Sequence, residues 1–168
     1  MRFETLSNKH ADLLFQFELE NRDWFETLIA SRGNDFYTDN GFNKHFSTCI
    51  SDAKLGRAYS GVLIEKGAVV ARGNLKGIDT KNKICSVGYR VAKNSIGKGY
   101  ASYCLAELIR TANTSYSIKE LKAQVLDNNP VSKAVLEKLG FKATHHEHYF
   151  TEFNGINLGC ATFNFVCA

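Results

Sequence analysis

Asn94-Ser95-Ile96-Gly97-Lys98-Gly99-Tyr100-Ala101 is the stretch that decides how this chain is read. It follows an apolar strand pattern, Ile84-Cys85-Ser86-Val87-Gly88-Tyr89-Arg90-Val91, and opens a helix in which Ala101, Cys104, Leu105, Leu108, Ile109 and Ala112 make one apolar face. Glycines 97 and 99 let the backbone approach an anion with no Cβ in the way. Free N–H groups and the positive dipole end at a helix start favour phosphate oxygens, and Lys98 adds a charge beside them. A glycine-punctuated strand-to-helix turn with no ligand is the plain alternative. A Walker A loop is excluded, because Ala92 stands where its first glycine belongs and Gly99 where Ser or Thr should follow Lys98. A dinucleotide fingerprint fails too: Ser102 replaces its last small residue, and the segment before it is an antiparallel meander rather than a βαβ start.

A second segment strengthens the first. Asn129-Pro130-Val131-Ser132 is followed by Ala134-Val135-Leu136-Glu137-Lys138-Leu139-Gly140-Phe141. Asn129 is placed to cap a helix and present an amide to a ligand, and Ser132 lies one turn along, close to the same face. Gly140 closes that helix.

The rest of the chain arranges itself around these two pieces. Residues 2–6 read as a strand, with Ser7 as a helix cap and His10 where a capping box prefers Glu or Gln. Leu13, Leu14, Phe17 and Leu19 predict a helix to about Glu20, broken by Asn21-Arg22-Asp23 and resumed at Trp24 and Phe25. Phe42, Phe46, Cys49 and Ile50 predict a third, short helix. Ala58–Glu65, Ala68–Leu75 and Ile84–Val91 predict a meander across the turns Lys66-Gly67 and Asp79–Lys83. Leu121–Leu126, Phe141–Phe150 and Ile156–Val166 supply further strands, the last two joined by Asn154-Gly155. The expected fold is α/β in the α+β sense: a mixed, largely antiparallel sheet of about seven strands flanked by helices. Residues 1–168 read as a single domain, because Pro130 is the only proline and no linker-like stretch interrupts the chain.

Composition narrows the function classes. The formal charge of +4 is mild and dispersed, which suits an anionic cofactor and does not point to nucleic acid. Five cysteines without paired spacing read as reduced thiols of a cytoplasmic protein. No apolar run approaches a membrane span, so no membrane partner is expected. His146 and His148 share a strand face, yet nothing completes a ligand set, and no metal is expected.

The two segments together resemble the GNAT superfamily of acyl-CoA N-acyltransferases. Its pyrophosphate motif, Gln/Arg-x-x-Gly-x-Gly/Ala, is matched by Gly97 and Gly99, with Asn94 in the Gln/Arg position. Val87–Val91 resembles the family strand that pairs with the pantetheine arm. Asn129–Ser132 and Leu136–Phe141 resemble the closing motif of the subgroup that contains bacterial ribosomal-protein N-terminal acetyltransferases, and Glu20-Asn21-Arg22 fits it as well.

The resemblance implies acetyl-CoA as donor, with CoA as product. It implies that Tyr89, Arg90, Val91, Asn94, Gly97, Lys98, Gly99, Tyr100, Ala101, Asn129 and Ser132 contact it. A backbone N–H near Val91 would polarise the thioester carbonyl. Ser132 is the first candidate to protonate the leaving thiolate, with Tyr89 and Tyr100 behind it. Glu20, Glu65, Asp79 and Glu147 are candidate bases, Glu20 first because it adjoins Asn21-Arg22, where the subgroup's acceptor cleft begins. Asn21, Arg22 and Trp24 are candidate acceptor contacts, and Phe25, Phe36 and Tyr37 are either cleft wall or core. The acceptor implied is a primary amine, first a protein N-terminal α-amine and next a polyamine, amino acid or aminoglycoside. A regulatory module that binds CoA without turnover is the non-enzymatic alternative. The apolar last strand fits either a dimer edge or an inner position, so monomer and homodimer both stay open.

Overall fold

The computed structural model describes all residues from Met1 to Ala168. Its seven strands are β1 (Arg2–Thr5), β2 (Ala58–Glu65), β3 (Ala68–Asp79), β4 (Ile84–Val91), β5 (Glu120–Leu126), β6 (Lys142–Phe153) and β7 (Ile156–Val166). They form one sheet in the order β1-β2-β3-β4-β5-β7-β6. The helices are α1 (Ala11–Glu20), α2 (Arg22–Phe25), α3 (Asp39–Lys54), α4 (Tyr100–Tyr116) and α5 (Pro130–Lys138). The sheet is antiparallel except between β4 and β5.

Strand alternation gives the sheet two differently covered faces. Leu63, Ala71, Leu75 and Val87 meet Cys104, Leu105 and Leu108 of α4 and Leu136 of α5 in the larger core. Gly73 sits directly beneath α4: a Cβ there would lie 2.6 Å from Leu108 Cδ1 and 2.8 Å from Cys104 Sγ, so only glycine lets the helix approach this closely. On the other face Val62, Ile64 and Val69 pack with Leu14 and Phe17 of α1 and Phe42 and Phe46 of α3. Each buried Leu, Val, Ile or Phe among them contributes about 1.5–3 kcal/mol of transfer free energy.

Several sequence expectations are corrected. The third helix is not short; Thr38 caps its start by accepting from Gly41 N–H at 3.1 Å, and it runs to Lys54. Strand β3 continues past Leu75 to Asp79, and β6 continues past Phe150 to Phe153, each carried on by its hairpin partner. Strand β7 is an inner strand between β5 and β6, which settles its place within the sheet. At the first helix His10 takes the capping-box role after all, its ring Nδ1 accepting from the Ser7 N–H at 3.0 Å.

Candidate active site

Strands β4 and β5 are paired only from Ile84/Glu120 to Ser86/Lys122 and then part. The Ala92 N–H donates to the Val70 carbonyl, which makes Ala71/Val91 a pair that exchanges no hydrogen bonds. By antiparallel alternation, Tyr89 and Val91 therefore aim their N–H groups away from β3, into the gap beside β5. These are backbone donors of the kind expected near Val91, though the Val91 carbonyl itself accepts from Trp24 Nε1 at 3.3 Å.

Past the end of β4, a turn over Lys93–Ser95 leads to Gly97 (φ 76°) and Gly99 (φ 80°). Both lie in the left-handed region that penalises any residue with a Cβ, and the space around both is open. Gly99 is the N-cap of α4, and no side chain caps it. The Tyr103 N–H reaches back to the Gly99 carbonyl at 3.0 Å, which leaves the N–H groups of Tyr100, Ala101 and Ser102 ahead of the helical ladder. Lys98 Nζ lies 6.0 Å from the Tyr100 ring centre. The Tyr100 hydroxyl donates to Glu65, which ties one candidate acid to one candidate base.

Across the gap, Asn129 caps α5: its Oδ1 accepts from the Ser132 N–H at 3.1 Å, leaving the amide nitrogen for a ligand. Next to it, Asn128 Oδ1 is buried without a partner, a group that an amide N–H of a pantetheine arm would satisfy. The Ser132 hydroxyl and the Tyr89 hydroxyl share a hydrogen bond at 3.0 Å, and Tyr89 also donates to the Ser132 carbonyl at 3.3 Å. Burial pushes the Tyr89 phenol up to about 12, so it keeps its proton at neutral pH. Two residues far apart in sequence thus form one hydroxyl pair on the α4–α5 side of the gap. The open turn, the uncapped helix start and the orphaned Asn128 acceptor together fit acetyl-CoA.

The predicted residues at the end of α1 and just after it lie on the opposite, α1–α3 side. Asn21 is buried, donating from Nδ2 to the Phe17 carbonyl at 2.9 Å and accepting at Oδ1 from the Lys93 N–H at 2.8 Å. It therefore pins the end of α1 to the exit of β4. Glu20, one residue earlier, is exposed and accepts from Gln16 at 2.7 Å. Arg22 is held by Glu26 and Asn34 and stacks 4.3 Å over the Tyr37 ring. Phe25 and Phe36 pack in or against the smaller core. Asp79 closes its own turn by accepting from Asn82, and Glu147 is exposed on β6. His146 is engaged by Asp127, 2.9 Å away, and its ring stands 4.8 Å from that of His148.

The strongest electrostatic feature carries no motif in the sequence. Glu18 is fully buried in α1, with one carboxylate oxygen 2.6 Å from Arg72 of β3 and the other 3.2 Å from Arg90 of β4. Burial alone would raise its pKa; the Arg72 and Arg90 charges overcome that and hold it below the ordinary carboxylate value. Arg90, predicted as a donor contact, instead points to this face and stacks 5.0 Å from the Phe25 ring, with burial lowering it to about 10. The available signal was a glutamate between Phe17 and Leu19, and an arginine closing the apolar run Ala68-Val69-Val70-Ala71.

Residues 1–142 match the family described as Acetyltransferase (GNAT) domain. An uncharacterised N-acetyltransferase, p20, from Bacillus licheniformis is 29% identical over 148 residues, covering 83% of each chain. Among solved structures, a ribosomal-protein-S5-alanine acetyltransferase from Vibrio fischeri superposes with a TM-score of 0.90 at 17% identity, over 98% of this chain and 91% of the other. A spermidine N-acetyltransferase variant from Vibrio cholerae does so with a TM-score of 0.79 at 15% identity, over 99% and 95%. The seven-stranded mixed sheet is the fold these structures share. With most of its length matched, the chain belongs to the GNAT acetyltransferase family and is an acetyltransferase that uses acetyl-CoA.

Proposed function

We propose that this enzyme acetylates a protein N-terminal α-amine, with residues 1–168 acting as one catalytic domain in the cytoplasm. The observation that carries this is the two-sided gap between β4 and β5. A hydroxyl pair stands on one side, and on the other a cleft of about 370 Å³ lined by Asn74, Ser86, Gly88 and Gln124 is open to an extended chain. The fold likeness to the ribosomal-protein enzyme supports the same acceptor class.

Gly97, Gly99 and the first turn of α4, with Lys98 beside them, hold the pyrophosphate of acetyl-CoA; Asn129 and the Tyr89 and Val91 N–H groups hold its arm and thioester. Acetyl-CoA supplies an activated acetyl thioester. The amine nitrogen forms the new amide bond as the carbon–sulfur bond breaks. The hydroxyl pair gives a proton to the departing sulfur, Ser132 directly and Tyr89 through it, and is restored by the proton that the attacking nitrogen sheds as the amide forms. The proton of the incoming ammonium leaves by solvent to Glu20, an exposed carboxylate one residue before Asn21, whose side chain binds the Lys93 N–H just past β4. Asn21, Arg22 and Trp24 shape the mouth of the cleft rather than offering free groups, because their polar atoms are engaged within the chain.

A small amine is the second reading, supported by the likeness to the spermidine enzyme. CoA release measured on peptides with free and with blocked N-termini separates the two. Turnover confined to free N-termini is the expected result; turnover on spermidine or other small amines with none on peptides overturns the proposal.

A further inference from the structure

The cleft face of the sheet carries more cationic side chains than its own carboxylates neutralise. Register sets Arg72 opposite Arg90, Asn74 opposite Gly88 and Lys76 opposite Ser86, and then Ser86 opposite Lys122. With a side-chain period of two, these positions share one face. Lys76 and Lys122 line the cleft itself. The Lys76 pKa is lowered first by lost hydration and then by the charges of Arg32, Arg72 and Arg90.

Two carboxylates answer these five cations. Both oxygens of Glu18 are taken by Arg72 and Arg90. Glu120 lies 3.9 Å from Lys122 and accepts from Asn164 at 2.7 Å. Lys76 and Arg32 have no ion-pair partner; Arg32 lies over the Phe36 ring, 4.4 Å from its centre. The remaining polar lining, Asn74, Gln124 and Thr162, is uncharged. Like charges gathered along one cleft repel, and an anionic ligand relieves that repulsion.

We infer that the acceptor is an acidic peptide N-terminus, one with Asp or Glu in the first residues after the α-amine. This rests on the N-terminal acetylation proposed above. The same charges that attract the side-chain carboxylates disfavour the protonated form of the α-amine, so they also supply more of the neutral nucleophile. A polyamine meets the opposite field, with every added cation raising the cost of binding.

The test compares acetyl transfer to peptides that differ only in the residues following the N-terminal one: acidic, their amide equivalents, or lysine. Spermidine is a fourth arm. The acidic peptide is expected to exceed the amide peptide in kcat/KM by about tenfold and the lysine peptide by about a hundredfold, with both ratios shrinking as salt rises. Lys76→Gln and Lys122→Gln, made separately, each reduce the acidic preference, and Lys122→Glu inverts it. Equal rates on all three peptides overturn charge selection while leaving N-terminal acetylation standing. A preference untouched by every lysine variant overturns its assignment to this cleft. Acetylation of spermidine with none of any peptide overturns both this inference and the N-terminal reading.

Discussion

The two sides of the sheet solve different problems with different materials. The α4–α5 side is built from backbone: a glycine turn, an uncapped helix start and strand N–H groups freed where β4 parts from β5. The α1–α3 side is built from charged side chains brought together from α1, a loop and three strands. A backbone site recognises a ligand common to a whole family, because its geometry tolerates change in most side chains. A side-chain site can be rewritten one position at a time, which suits the recognition of a particular acceptor.

The comparison breaks most visibly at Glu18. Glu18→Gln removes the charge that neutralises two arginines, one of them almost fully buried, and is expected to destabilise the fold by about 3–5 kcal/mol in chemical unfolding. A loss below about 1 kcal/mol would mean that the arginines are satisfied without it.

On the other side, Gly99→Val forces a β-branched residue to a φ of 80°, where the donor phosphates are expected. Calorimetric titration is expected to show acetyl-CoA affinity falling by about a hundredfold, while the melting temperature without ligand falls modestly. Unchanged affinity would detach the turn from the donor.

Tyr89→Phe sharpens the picture on that same side. Removing the hydroxyl that pairs with Ser132 should lower kcat by about tenfold to a hundredfold and leave acetyl-CoA affinity within about threefold. Ser132→Ala should behave in the same way. A loss of affinity with kcat intact would make the pair a donor contact only.

The smallest effect concerns pH. His45 of α3 is lowered from 6.5 to about 4, first by burial and then by Arg72 and Arg32, so the folded chain holds it neutral. The unfolded chain takes up that proton below about pH 6.5. Its contribution is therefore complete above about pH 6.5 and is lost as pH falls toward 4, by on the order of 1–2 kcal/mol. His45→Gln should flatten stability against pH in that window; an unaltered profile would place the pH response elsewhere.

The same contrast explains what could be read from the sequence. Strands Ala58–Glu65 and Ile84–Val91 and helix α4 follow local periodicity and turn chemistry, and they are found where expected. Gly97, Gly99, Asn129 and Ser132 lie within short motifs whose conformation is set locally, by turn and helix-cap chemistry. The Tyr89–Ser132 bond joins residues 43 apart in the chain, yet both are readable as candidates because each sits in such a motif. Glu18, Arg72, Arg90 and Lys76 carry no motif. Their meaning arises only when the β3–β4 register puts them on one face and α1 packs across it, and neither event is encoded within any short stretch. The Asn21-Arg22 segment likewise reads as acceptor contacts, whereas Asn21 is consumed in fastening α1 to Lys93.

The most direct test of a donor site on the glycine turn is thermal unfolding of the purified chain with acetyl-CoA, CoA or ATP in separate samples. Ligand at about a hundred times its dissociation constant adds roughly 2.7 kcal/mol, a shift of several degrees for a chain of this size. The predicted result is a rise with acetyl-CoA and with CoA and none with ATP. A rise with ATP alone, or no rise with any of the three, would contradict the account.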